Sequence, residues 1–252
     1  MTGSGVRATI GLLLVATACG GTPASSAAGP TAPVRVFAAS SLTAPFQALA
    51  AAFEQQAPGR RVELHFAGSP QLVLQLREGA AADVFAAADV PNMDKVVTSG
   101  ATVAAPVEFA RNQLAIVVRA GNPKQVRGLG DLARPDLAVA LCGPEVPAGK
   151  YSRQLLAAAQ VAVKSVSDEP SVKAVVGKVL LGELDAGIVY TTDTRVQGVE
   201  GVVVPSAQNV VASYPIAVLG QGGNRQGGEA FVAFVRSEAG RALLAQHGFG
   251  LP

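Results

Sequence analysis

From residue 34 to the end of the chain, short apolar runs rich in Val, Ile, Leu and Ala alternate with longer stretches whose apolar residues recur every three or four positions. Few folds accept that alternation. A short run apolar throughout is a strand buried on both faces, and the amphipathic stretch after it is the helix that covers the strand and carries the chain back. The class is α/β with a largely parallel sheet. Strands are expected at residues 34–39, 61–67, 82–87, 113–119, 137–141, 186–190, 201–205 and 214–219. Helices are expected over 42–56, 70–78, 91–99, through 155–159, and over 171–182, 228–237 and 239–247. Leu42, Phe46, Leu49 and Phe53 form the stripe of the first helix, and Val172, Val175, Val176, Val179 and Leu180 that of the fifth. With 252 residues, 49% of them hydrophobic, the chain has material for one large domain or two modest ones.

The N-terminus reads differently. Arg7 precedes an apolar run at 8–18 that is too short to span a bilayer as a helix but has the length of a secretory signal core, so residues 1–18 are expected to direct export. The run ends in Ala16-Thr17-Ala18-Cys19-Gly20, which resembles a bacterial lipobox, where cleavage before the cysteine leaves Cys19 to carry lipid. The alternative is ordinary cleavage that discards Cys19. Residues 20–33 are a Gly, Ser, Pro and Ala stretch with no core-forming residues, the composition of a flexible tether. The expected place of the mature chain is the outer face of the cell membrane. Cys142 then has no partner and is expected to be a small buried apolar residue.

Composition removes several function classes. The 20 basic residues nearly balance the 18 acidic ones and there is no Trp, so neither a basic stripe nor a stacking platform exists for nucleic acid. A serine hydrolase would need a Gly-x-Ser-x-Gly elbow or a Ser-x-x-Lys pair; neither occurs, and only His65 and His247 are available as bases. Residues 143–151 approach a P-loop, but five residues separate the glycines and Tyr151 stands where the Mg²⁺-binding hydroxyl is needed. Asp83, Asp89 and Glu145 lack the spacing of a metal cluster and are read as strand-end and turn residues. No enzyme activity, cofactor or directly ligated metal is expected.

Four strand-to-helix turns are rich in small or hydroxyl-bearing residues: Ala39-Ser40-Ser41-Leu42, Phe66-Ala67-Gly68-Ser69-Pro70, Val146-Pro147-Ala148-Gly149-Lys150-Tyr151 and Glu169-Pro170-Ser171-Val172. Each can aim the unpaired N–H groups of a helix start outward, toward the positive end of the helix dipole. In open α/β sheets, ligands lie beyond the carboxyl ends of the strands. Such turns facing one another would enclose one small anion. A single turn of this kind is ordinarily just a serine cap. Tyr190 closes the run Ala-Gly-Ile-Val-Tyr and puts a phenol at the rim of the same face, where its ordinary role is a hydroxyl in water.

These segments, with Ala82-Asp83-Val84-Phe85-Ala86-Ala87-Ala88-Asp89, resemble the substrate-binding proteins of bacterial molybdate ABC transporters over nearly all of residues 33–252. The resemblance implies a type II periplasmic-binding-protein fold: two α/β lobes, 34–110 plus 211–252 and 111–210, joined by crossings near 108–113 and 206–214. A tetrahedral dianion, molybdate or tungstate, would be held between them without a counter-charge. The implied ligands are the hydroxyls of Ser41, Ser69 and Tyr190 and the backbone N–H groups of Ala148 and Val172. The implied partner is the membrane permease of an ABC importer, and a monomer is expected. Another oxyanion such as sulfate is the open alternative within this class. The chain departs from the family pattern in three places: Ser40 stands where Ala is common, Gly68 where Ser is common, and Pro170-Ser171 where Asn or Asp is common before Val172. Ser40 is therefore a possible additional ligand.

Overall fold

The computed structural model describes residues 1–3, 32–56 and 58–252; residues 4–18 of the expected signal segment, Cys19 and most of the tether lie outside the described residues. The strands are β1 Val34–Ala39, β2 Val62–Ala67, β3 Val84–Ala86, β4 Val107–Arg119, β5 Val139–Cys142, β6 Asp168–Glu169, β7 Ala186–Tyr190, β8 Val199–Val203 and β9 Val211–Val218. The α-helices are α1 Thr43–Gln55, α2 Ser69–Arg77, α3 Val90–Thr98, α4 Pro147–Ala158, α5 Val172–Leu181, α6 Arg225–Arg236 and α7 Glu238–Gln246. The α/β class and the order of elements agree with the sequence expectation, but the sheet is mixed rather than largely parallel, since β4 and β9 run antiparallel to the strands beside them. Leu180 at the end of α5 is exposed instead of joining its buried stripe.

Among the described residues the strands run in the order β2-β1-β3-β9-β4-β7-β5-β6, with β8 on β4. β4 organises the whole. Its first half, Val107 to Gln113, pairs antiparallel with β9, and its second half pairs antiparallel with β7 and β8. β1 runs parallel to β2 and β3, and β3 is antiparallel to β9. Strands β1 to β3 therefore run in the direction of β4, and β5 to β7 run against it. The carboxyl ends of the two groups consequently face each other near the middle of β4, where Leu114 sits opposite Tyr190, the last residue of β7.

β4 is longer than its apolar pattern suggests: the sequence predicts a strand only from residue 113. Glu108, Arg111 and Asn112 interrupt the hydrophobic run. The structure uses those polar groups locally, with Arg111 bonding Glu108 at 2.8 and 3.2 Å and Asn112 tying the strand to Thr191 and Thr192. The two-residue β6 also escapes periodicity, because it is a strand only through its pairing with Leu141 and Cys142.

The core joins the two halves of the sheet. Phe46, Leu49 and Phe53 of α1 are buried as their spacing predicts, and Phe46 and Phe53 stack edge to face on Phe231 of α6. Phe109, Tyr214 and Phe249 continue this aromatic layer toward Tyr190, whose ring lies 5.6 Å from that of Tyr214. Burying side chains of this size contributes roughly 1.5–3 kcal/mol each, which fixes the strands beneath the turns they carry. Two buried carboxylates set the loops around β3. Asp83 accepts from the backbone N–H of Arg35 at 2.8 Å and of Asn224 at 2.6 Å; Asp89 caps α3 through the N–H of Asn92 at 3.1 Å. Cys142 is free and fully buried, and burial pushes its thiol far above the usual range.

Candidate functional site

The four turns meet. Parallel pairing sets Ala39 beside Ala67 and Cys142 beside Glu169, so each pair of neighbouring strands delivers its two helix starts at the same level. Between the two pairs lies a small cavity of about 210 Å³. That suits a compact ligand of a few heavy atoms and excludes a sugar or a peptide. Ser40, Ser41, Gly68 and Ser69 line one wall, and Ala148, Val172 and Tyr190 line the other. All six residues expected at the site, Ser40 included, are thus together in one place and buried, from 0% exposure at Ala148 to 7% at Ser40.

Local structure explains why each points inward. Ser40 to Leu42 form a 3₁₀ turn that postpones α1 by one residue, so neither serine is a side-chain cap. Ser69 opens α2, and its Oγ accepts the N–H of Ala88 at 3.2 Å. With that lone pair occupied, the Ser69 hydrogen is free to point into the cavity. Ala148 is in the first turn of α4, which lies hard against the exit of β5: a Cβ on Gly149 would strike the carbonyl oxygens of Cys142 and Gly143. Only glycine permits that approach, and it brings the unpaired N–H groups of the first turn of α4 to the cavity wall. Val172 opens α5 behind Ser171, which caps Ala174 at 3.3 Å.

Tyr190 decides the character of the site. It is 1% exposed, and its hydroxyl is a buried polar atom with no hydrogen-bond partner among the described residues. Burial, then the neighbouring Tyr214, pushes the phenol well above its ordinary value, so it is neutral and carries a proton to donate. Leaving such a group unpaired costs about 1–3 kcal/mol. No charged side chain is among the cavity's described lining residues. The bases Lys173 and Arg195 line a separate groove behind Ser41. What converges is a set of neutral donors and helix N-termini, the chemistry that takes up an anion.

Sequence reasoning missed two supporting residues. Tyr214 is fully buried, and its hydroxyl lies 3.1 Å from the Ser41 Oγ. If Tyr214 donates in that bond, the Ser41 hydrogen is left for the cavity. Asp193 accepts the backbone N–H of Tyr190 at 3.2 Å and so fixes the end of β7; burial raises its carboxyl to about 7, against the lowering effects of that bond and of Lys173. A Tyr in a strand and an Asp in a polar turn carry no sequence signal that sets them apart.

Comparison with known proteins shows the family. Residues 34–250 match the family described as bacterial extracellular solute-binding protein. The chain belongs to that family. This solute-binding protein is 44% identical over 241 residues to the molybdate-binding protein ModA of Mycobacterium tuberculosis, covering 93% of this chain and 92% of the relative. Among solved structures it resembles the periplasmic molybdate-binding protein of Azotobacter vinelandii, with a TM-score of 0.75, 19% identity and coverage of 87% and 99%. It also resembles the sulfate-binding protein SubI of Mycobacterium tuberculosis, with a TM-score of 0.76, 21% identity and coverage of 88% and 87%. At those identities the two structures show the fold alone, that of the extracytoplasmic binding proteins. Among the described residues no helix is long and apolar enough to cross a membrane, and no group of three or more His, Cys, Asp or Glu residues could hold a metal ion.

Proposed function

We propose that this protein captures molybdate or tungstate outside the cytoplasm and hands it to the membrane permease of an ABC importer. The observation that carries the reading is the partnerless buried hydroxyl of Tyr190 in an uncharged cavity shared with Ser41, Ser69 and the helix starts at Ala148 and Val172. A dianion entering such a cleft must exchange its hydration for direct donors, because each unsatisfied oxygen buried there is costly. Neutral donors provide that without a fixed counter-ion. A protonated oxyanion such as hydrogen phosphate would also need an acceptor for its own O–H, and no carboxylate is among the described lining residues. The 44% identity to a molybdate-binding protein supports the choice of ion.

In this reading residues 34–110 with 211–252 form one lobe and residues 111–210 the other. They close around the ion by bending where β4 and β9 pass between them, and the permease recognises the closed form. The ion is cargo; no cofactor and no catalytic group are needed. The protein acts as a monomer, and lipid on Cys19, followed by the 20–33 tether, holds it at the outer face of the membrane.

Titration calorimetry of the mature protein with molybdate, tungstate, sulfate and phosphate tests the reading. Heat of binding is expected with the first two, and its absence with both overturns the proposal. Saturable heat with sulfate alone would make this a sulfate-binding protein instead. The anchor is tested separately: Cys19→Ala should release the protein from the membrane fraction, and a variant that stays there refutes it.

A further inference from the structure

Gly68 lies just before Ser69 at the start of α2, on one wall of the cavity; Pro170 lies just before Ser171 at the start of α5, on the other. The two turns touch. A Cβ built on Gly68 would fall far inside 3.0 Å of the carbonyl oxygen of Pro170. The backbone of Gly68 does not demand glycine, since its φ of −62° and ψ of 142° are open to any residue. Capping does not demand it either, because the position is the N-cap of α2, where Ser, Asp or Asn would serve at least as well. Only the space requires glycine. The obstructing atom is a backbone oxygen followed by a capped helix, so it cannot swing aside as a flexible side chain would.

The contact is made next to two proposed ligands: Gly68 directly precedes Ser69, and Pro170 stands two residues before Val172. It also joins two of the three places, Gly68 and Pro170-Ser171, at which the chain departs from the pattern it otherwise resembles. We infer that Gly68 against the Pro170 carbonyl is the stop that sets how closely the two walls approach, and hence the size of anion that the donors on both walls can reach together. This inference rests on the proposed oxyanion function.

A side chain at 68 holds the walls several tenths of an ångström farther apart. Hydroxyls from one wall and N–H groups from the other then cannot all meet one ion at hydrogen-bond distance. The loss is greatest for the smallest ion, because a larger one spans more of the added gap.

The test is Gly68→Ala, measured by calorimetry with molybdate, tungstate and sulfate, beside thermal unfolding of the ligand-free protein. The ligand-free variant is expected to unfold at the wild-type temperature, since the clash exists only when the walls meet. Its affinity for molybdate is expected to fall at least tenfold, with a smaller fall for any ion of greater radius and a larger one for sulfate if wild type binds it. Small-angle scattering of the molybdate-saturated variant should show a larger radius of gyration than saturated wild type. Unchanged affinity, or equal compactness on saturation, overturns the inference while leaving the oxyanion reading in place. A fall in affinity matched by an equal loss of stability in the ligand-free protein also overturns it, as the contact would then be ordinary packing. A wild type that binds no tetrahedral oxyanion overturns the site reading, and this inference with it.

Discussion

The two walls of the cavity present the same kind of turn but use it differently. On the wall from β1 and β2 the groups at hand are the serine hydroxyls of Ser40, Ser41 and Ser69, and partners elsewhere in the fold orient two of these: Tyr214 for Ser41 and the N–H of Ala88 for Ser69. On the wall from β5, β6 and β7 they are backbone N–H groups at Ala148 and Val172, with one phenol at Tyr190. A wall built on side chains can be broken by deleting an atom. One built on backbone is disturbed only by moving the helix that presents it, which is why Gly149 is packed against β5. The difference teaches that substitution should map the first wall directly and the second mainly through Tyr190 and its supports.

The largest effect on ion binding is expected on the first wall. Ser69→Ala removes a donor to the ion and also leaves the N–H of Ala88 without its partner, so molybdate binding should weaken by about 3 kcal/mol. Calorimetry checks it, and an unchanged affinity would take Ser69 out of the site. Next is the one deletable donor of the second wall: Tyr190→Phe should cost about 1–3 kcal/mol of binding. Because the hydroxyl has no partner among the described residues, the same variant should be as stable as wild type, or more so, without ligand.

Asp193 tests the second wall through pH. Its folded-state carboxyl is raised from 3.8 to about 7 by burial, so the folded protein holds a proton that the unfolded chain has lost. The stability tied to that proton is fully present below the ordinary carboxylate value and is lost as pH rises through about 7. Asp193→Asn keeps an acceptor for the N–H of Tyr190 and removes the buried charge. Chemical unfolding should find the variant more stable than wild type by about 1–2 kcal/mol at pH 8 and nearly equal at pH 4. Parallel pH profiles for the two proteins would contradict this. The smallest effect belongs to Tyr214→Phe, which leaves Ser41 in place but unaligned. Binding should weaken by about 1 kcal/mol, and Ser41→Ala should then add less than it does in the wild-type background, as a double-mutant cycle would show.

Much of this site was legible beforehand because its parts are local. Ser40, Ser41, Ser69, Ala148 and Val172 stand at strand-to-helix turns, and such turns announce themselves through hydroxyl or small residues between an apolar run and an amphipathic one. Tyr190 was legible as the polar end of an apolar strand. Tyr214 and Asp193 were not, because each acts through a partner distant in sequence or through burial. The first half of β4 was hidden for a related reason: Glu108, Arg111 and Asn112 break the hydrophobic pattern and are accommodated by partners the sequence does not name.

By itself the sequence determined the α/β class, the order of the elements and the turns able to hold an anion, because periodicity, capping and turn chemistry act over a few neighbouring residues. Only the tertiary structure decided that β4 runs unbroken through both halves of the sheet and brings the carboxyl ends of opposed strands face to face. It also decided that the Tyr190 hydroxyl is stranded without a partner and that Gly68 meets the carbonyl of Pro170. Those features depend on residues far apart in the chain, Gly68 and Pro170 by about a hundred positions, and what fixes them is the packing of the whole core.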